Sequence, residues 1–257
     1  KHIAHIAADK MMPVSLELGG KSATMVLDDA DLDHAVNGVL YGIFSSSGES
    51  CIAGSRLFVA RGIYDEFVAR LADAAKNLRV GDPASERTQM GPLITAKHRE
   101  GIERYVDLGV SEGGRIRTGG VRPTGAGYDK GYFYTPTILE GLTNSARITQ
   151  EEIFGPVLVA MPFDSEDELI AQANDSIYAL AAGVWSRDFK RAWALGRAVQ
   201  AGTVWVNTYK QFSVSTPFGG WRDSGLGREK GREGIFQYME QKSLYWGTNE
   251  EPIPWAN

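Results

Sequence analysis

The sequence predicts an α/β protein: a mostly parallel, twisted sheet with helices on both faces. Short unbroken apolar runs, "SATMVLD", "SRLFVA", "GPVLVAMPF", "ALAAGVWS" and "GTVWVN", alternate with amphipathic segments. Strands covered on both faces read as continuous apolar runs, and their alternation with helices is the pattern of a parallel sheet. With 257 residues, 43% hydrophobic and 23% charged, the chain has the size of one α/β unit with appendages.

Taken in order, "KHIAHIAADK" has helical spacing at Ile3, Ile6 and Ala7 but no visible N-cap, and "PVSLELGGKSATMVLD" reads as two strands split at Gly19-Gly20. "DDADLDHAVNGVLYGIF" is the clearest helix, with Leu32, Ala35, Val36, Val39, Leu40, Ile43 and Phe44 on one face and Asp29 or Asp31 as cap. After the strand "SRLFVA", a helix from Ile63 to Leu78 is expected, then a polar connection, then a helix in "TAKHREGIERYVDLG". "TGGVRPTGAGYDKGYF" is a Gly-rich surface excursion and "YTPTILEGL" is extended. Ser165 and Glu168 form a capping box ahead of a helix, and "DFKRAWALGRAV" is the helix between the last two strands of the alternation.

The composition excludes several classes. Net charge is −5 with scattered basic residues, which gives no nucleic-acid footprint. No apolar run reaches the ~20 residues of a membrane helix. One cysteine rules out an internal disulfide and suits a reducing compartment, so a cytoplasmic location is expected. Four histidines without ligand spacing give no metal site. The chain starts at Lys1 with an uncapped helix, and the expectation is that it is a piece of something longer.

Cys51 lies in "SSSGESCIAGSR", among small residues after a helix end. A buried structural thiol is the ordinary use of a cysteine; the Gly/Ser loop points instead to a nucleophile, which at a pKa near ~8.5 needs local activation. Glu17 in "LELGGK" is a carboxylate between two leucines. Burying it is costly without a partner, so it is either ion-paired, for example to Lys21, or a general base with a raised pKa. Glu151 and Glu152 stand at the mouth of a strand and are followed by Phe154. Asn207 follows "GTVWV" at a strand's carboxyl end, where parallel sheets gather ligands. The glycines of "GLGREKG" follow no strand and are not read as a phosphate cradle.

"LELGGKSA" (Leu16 to Ala23) and "FSSSGESCIAGS" (Phe44 to Ser55) resemble the two signature segments of the NAD(P)-dependent aldehyde dehydrogenase superfamily. "EEIFGPV", "AGTVWVN", "PFGG" and "SGLGRE" continue the likeness in the family's order and at about its spacing.

The resemblance implies a nucleophile at Cys51, a general base at Glu17 and a proton-relay carboxylate at Glu229. It implies that Glu152 bonds the nicotinamide ribose, and that Phe154, Leu180, Leu18 and Gly19 border an NAD or NADP cofactor. Asn207, Lys210, Gln211, Phe212 and Phe218 would line or support a substrate funnel for an aldehyde. By the same resemblance, residues 1–19 are the end of a coenzyme-binding domain, 20–238 a catalytic domain, and 239–257 an oligomerisation strand (about Glu240 to Trp246) and tail. A homodimer or homotetramer would form through that strand. The chain would thus be the catalytic half of a longer protein, weak in cofactor binding by itself. A CoA-acylating relative and a non-catalytic relative are the rival readings; Glu17 favours release of a thioester by water.

Overall fold

The computed structural model describes residues 1–248, Glu251 and Trp255. Seven of its strands form one sheet: β2 (Ala23–Val26), β3 (Arg56–Ala60), β4 (Arg115–Thr118), β5 (Thr137–Glu140), β6 (Val157–Phe163), β8 (Ala181–Trp185) and β9 (Thr203–Val206). Their order is β4-β5-β6-β3-β2-β8-β9. Every neighbouring pair is parallel except β4 against β5 at one edge. The central strands β2, β3 and β8 are buried along their whole length, which explains their unbroken apolar character.

The two faces are covered as the alternation predicts. On one, Val26, Leu57, Val59, Leu158 and Ala160 pack with α2 (Leu32–Phe44) and α3 (Tyr64–Lys76), after the short opening helix α1 (His2–Asp9). On the other, Met25, Phe58, Val159 and Met161 pack with α4 (Ala96–Ser111), α5 (Arg147–Gln150), α6 (Glu166–Asn174) and α7 (Phe189–Ala198). The cap of α2 is Asp31, whose carboxylate accepts from His34 N–H. Asp29 instead accepts from Ser186 Oγ and from the Arg187 and Asp188 N–H groups. Ser165 caps α6 by accepting from Glu168 N–H, and Glu168 in return accepts from the N–H of Asp164.

Two small ladders lie outside the main sheet. β1 (Leu16–Glu17) pairs antiparallel with β11 (Gly225–Leu226), and β7 (Tyr178–Ala179) with β10 (Trp221–Arg222). They bring the "SGLGRE" segment against "LELGG". A final helix, α8, spans Gly231–Phe236.

The expected strand over 240–246 is not formed in this single chain. A strand needs a ladder partner, and the segment leaves Leu244, Tyr245 and Trp246 exposed at 83%, 92% and 85%. The remainder of the expected 239–257 tail lies partly outside the described residues. Among the described residues, no helix is long and apolar enough to cross a membrane.

Candidate active site

The loops that carry the candidate residues meet at the amino ends of the parallel strands. Gly19 and Gly20 precede β2, Cys51 precedes β3, Glu152 and Phe154 precede β6, and Leu180 precedes β8. These candidate residues thus stand at the amino ends and not at the carboxyl ends, where ligands of a parallel sheet are expected to gather. The reason is local: "SSSGESC" and "LELGGK" lead into their strands and do not follow from them.

Contacts between the loops are close. Gly20 N–H donates to Glu152 Oε1 at 2.9 Å. A Cβ on Gly20 would stand 2.2 Å from the Cys51 carbonyl oxygen, and one on Gly19 2.2 Å from Glu152 Oε2. Both positions require glycine because other atoms fill the space. Before Cys51 the backbone turns left-handed at Ser46, Ser47 and Gly48 (φ 54, 55 and 70). Gly48 there packs against the Gly155 carbonyl, where a Cβ would be 2.2 Å from the oxygen.

Cys51 is half-buried, against the cluster of Ile52, Leu180, Ala181, Trp205 and Tyr209. Burial pushes its thiol above the ordinary value, and the carboxylates of Glu152 and Glu17 push it further; the N–H groups of Cys51 and Ile52 act the other way. Glu17 has both carboxylate oxygens buried without a hydrogen-bond partner among the described residues. Burial raises its pKa, Glu229 adds to the rise, and Arg228 opposes it. No ion pair joins Glu17 to Lys21. Lys21 is 2% exposed, its Nζ has no hydrogen-bond partner among the described residues, and burial followed by the nearby Arg56 lowers its pKa to about 7.

The remaining candidates divide. Leu18 and Phe154 are 37% and 40% exposed, and the Phe154 carbonyl, at φ 56, accepts from His98 Nε2 at 2.7 Å. Leu180 is 2% exposed and packs under Gly20. Lys210 Nζ bonds Ser45 Oγ at 2.7 Å, and burial lowers its pKa to about 8 while Cys51 opposes that fall. Phe212 and Phe218 meet edge to face at 5.5 Å, and Gln211 lends its carbonyl to Trp205 Nε1 at 2.7 Å. Glu229 exchanges two backbone bonds of 2.7 Å with Phe218 and leaves its side chain exposed.

Asn207 does not join this group. Its Oδ1 accepts from Ser186 N–H at 3.0 Å and its Nδ2 donates to Ser186 O at 2.8 Å, past the carboxyl ends of β8 and β9. The expectation that it lines a funnel is corrected: both polar ends are spent on the backbone of Ser186.

Three contributors escaped sequence reasoning. Tyr209 is buried, donates to the Ile52 carbonyl at 3.0 Å, and packs where a Cβ on Gly42 or Gly183 would be 3.2 or 2.7 Å from its ring. Arg56, also buried, donates to the carbonyls of Lys21 and Ala173 at 2.8 Å each and to Asn144 Oδ1 at 3.0 Å. His98 holds the Phe154 turn. The available signal was glycine inside a helix (Gly42) and inside a strand (Gly183), each marking a close approach.

Beside Glu152 a cavity of about 500 Å³ is lined by Leu16, Leu18, Gly19, Glu152, Tyr178 and Leu226 among others. The same lining carries a second carboxylate, Asp223, and the cations Lys1 and Arg222.

Residues 1–244 match the Aldehyde dehydrogenase family. The chain belongs to this family. It is 42% identical over 257 residues to the betaine aldehyde dehydrogenase of Bacillus subtilis (strain 168), covering 100% of this chain and 52% of that protein. It is also 42% identical over 255 residues to that of Mesorhizobium japonicum, covering 99% and 52%. Among solved structures, the Staphylococcus aureus betaine aldehyde dehydrogenase in complex with NAD+ superposes with a TM-score of 0.96 at 39% identity, over 100% of this chain and 51% of that one. An NAD+ complex of an aldehyde dehydrogenase from Bacillus cereus gives 0.92 at 42% identity, over 96% and 50%. The chain thus spans about half the length of the relatives it matches.

Proposed function

We propose that the chain is the thiol-bearing half of an enzyme that oxidises an aldehyde to a carboxylic acid with NAD+ or NADP+. The observation that carries this reading is the pairing of a half-buried thiol with a buried, unpartnered carboxylate of raised pKa, Cys51 with Glu17.

The Cys51 thiolate attacks the aldehyde carbon and forms a thiohemiacetal. The N–H groups of Cys51 and Ile52 steady the thiolate and then the oxygen charge. A nicotinamide held beside Glu152, Leu18 and Gly19 would supply the hydride acceptor, and loss of hydride from the thiohemiacetal would leave a thioester on Cys51. Glu17, whose pKa burial raises, takes a proton from water, and the water oxygen attacks the thioester carbon to release the acid and the Cys51 thiolate. Glu229 passes that proton outward, being exposed and close enough to Glu17 to raise its pKa. Glu152, Leu18, Gly19, Phe154 and Leu180 form or back the wall for the nicotinamide ribose end, and Lys210, Gln211, Phe212 and Phe218 the aldehyde funnel.

Residues 20–238 are the proposed catalytic domain and 1–19 the end of the coenzyme-binding one. The exposed Ile3 and Ile6 of α1, at 60% and 45%, are surface that a coenzyme-binding half covers. The bare segment 240–246 joins the sheet of a second copy. A single reduced thiol fits the cytoplasm.

The test is assay of the chain and of a longer protein containing it, with a panel of short neutral aldehydes as substrates. The longer protein should form the acid and NADH or NADPH, and Cys51→Ala should abolish this. The chain alone should reduce almost no cofactor; an ordinary enzyme rate from it would refute the division into halves.

A further inference from the structure

The aromatic wall of the proposed funnel already carries a cation. Lys230 Nζ lies 4.2 Å from the ring centroid of Phe212 and 5.6 Å from that of Phe218. Lys210 adds a second positive charge, close enough to Cys51 for the two groups to influence each other, with its Nζ bonded to Ser45 Oγ and 5.9 Å from the Tyr41 ring. Among the described residues, neither lysine is within ion-pair distance of a carboxylate. An ammonium has three protons to donate, and Lys210 directs one of them at Ser45. The carboxylates nearby pair with neither lysine: Glu152 accepts from Gly20 N–H, the Glu17 oxygens are buried without a hydrogen-bond partner among the described residues, and Glu229 is exposed. Arg228, the other cation here, donates to the Gly220 and Gly227 carbonyls.

Quaternary ammonium ligands are recognised by the faces of aromatic rings. On this chain the faces of Phe212 and Phe218 are turned to an ammonium of the protein itself, and a second cation there is repelled. A carboxylate meets the opposite condition: two cations without carboxylate partners beside apolar rings that seat a short carbon chain.

We propose that Lys210 and Lys230 make this funnel select an aldehyde bearing a carboxylate at its far end and reject one bearing a quaternary ammonium. The inference rests on Cys51 being the reacting nucleophile.

Because Cys51 is the chain's one cysteine, it reports on the field around it. Two methanethiosulfonate reagents, one with a sulfonate head and one with a trimethylammonium head, transfer their thioalkyl group to the thiolate and release methanesulfinate. Their rates are read by intact mass, each divided by the same reagent's rate with a small free thiol. Clefts of one charge sign raise counter-ion concentration and rate by ~10-fold or more. The sulfonate-over-ammonium preference should therefore fall about tenfold in Lys210→Met/Lys230→Met and return in Lys210→Arg/Lys230→Arg. An unchanged preference in the methionine variant overturns the proposal. A folded wild-type chain that neither reagent modifies overturns it together with the nucleophile reading. With the longer protein, kcat/KM for a short aldehydic acid relative to a neutral aldehyde of equal length should fall about tenfold in the methionine variant. A wild-type enzyme that prefers betaine aldehyde to the aldehydic acid sinks this proposal while leaving aldehyde oxidation intact.

Discussion

The backbone N–H of Gly20 donates to Glu152 Oε1 across 2.9 Å, joining the loop before β2 to the loop before β6. The Cys51 carbonyl sits against the same glycine, so three loops share one contact point. Gly20→Ala should break it, because the added methyl would stand 2.2 Å from that carbonyl oxygen and backbone must move. Overpacking of this kind costs about 1–3 kcal/mol. Thermal melting should show the loss, and the pH profile of Cys51 alkylation should change with it. A variant with wild-type melting and alkylation would mean that the loops have room to spare.

The two carboxylates beside the thiol make a signed prediction. Glu152 and Glu17 both hold the Cys51 pKa up, Glu152 more strongly. Removing either negative charge should favour the thiolate and move the iodoacetamide rate profile to lower pH. Glu152→Gln should shift it further than Glu17→Gln, with a few-fold faster reaction below the midpoint. Movement to higher pH in either variant would contradict the assigned electrostatics.

Much of this was legible in the sequence. The apolar runs of β2, β3 and β8 announced strands buried on both faces, and the 3.6-residue stripe of α2 announced its partner. "LELGGKSA" and "FSSSGESCIAGS" gave Glu17 and Cys51. What failed to show was which end of the sheet they occupy: a run of strand residues has no direction relative to the ligand until its neighbours are known. Asn207 does lie past a strand's carboxyl end, but its side chain is spent on the backbone of Ser186. Nor could periodicity reveal that Lys21 and Arg56, charged residues flanking apolar strands, turn inward. Arg56 is accommodated because several backbone carbonyls satisfy its guanidinium. The 240–246 strand depended on a partner that one chain's pattern cannot supply.

Lys21 gives the stability of the chain a pH dependence. Its pKa is lowered from 10.5 to about 7 by burial first, so between those values the unfolded chain binds more protons than the folded one. Stability therefore rises with pH across that window, and below about pH 7 the full penalty of a buried ammonium is present. At about 1.4 kcal/mol per pH unit the penalty is on the order of 5 kcal/mol. Lys21→Met should stabilise the chain most at the acid end of the window and progressively less towards pH 10. Urea titrations at several pH values read this directly; a gain that grows with pH would reverse the sign and rule the account out.

Asn207 separates architecture from chemistry. Its φ of 52 lies in the left-handed region, which asparagine tolerates better than alanine. Its side chain makes two bonds to the Ser186 backbone, and its own N–H donates to Val184 O at 2.9 Å. Ser186 in turn bonds Asp29, which follows β2, so the asparagine ties together the segments after β2, β8 and β9. Asn207→Ala loses both side-chain bonds and strains the backbone, for a total of roughly 2–3 kcal/mol. Asn207→Gly loses the bonds but keeps the left-handed turn, and should fall between the two. At ~2–4 °C per kcal/mol for a chain of this size, the alanine variant should melt several degrees lower. Cys51 alkylation well below the melting temperature should keep its wild-type rate, because no contact of Asn207 reaches the thiol's loop. Unchanged melting together with altered alkylation would return Asn207 to the funnel.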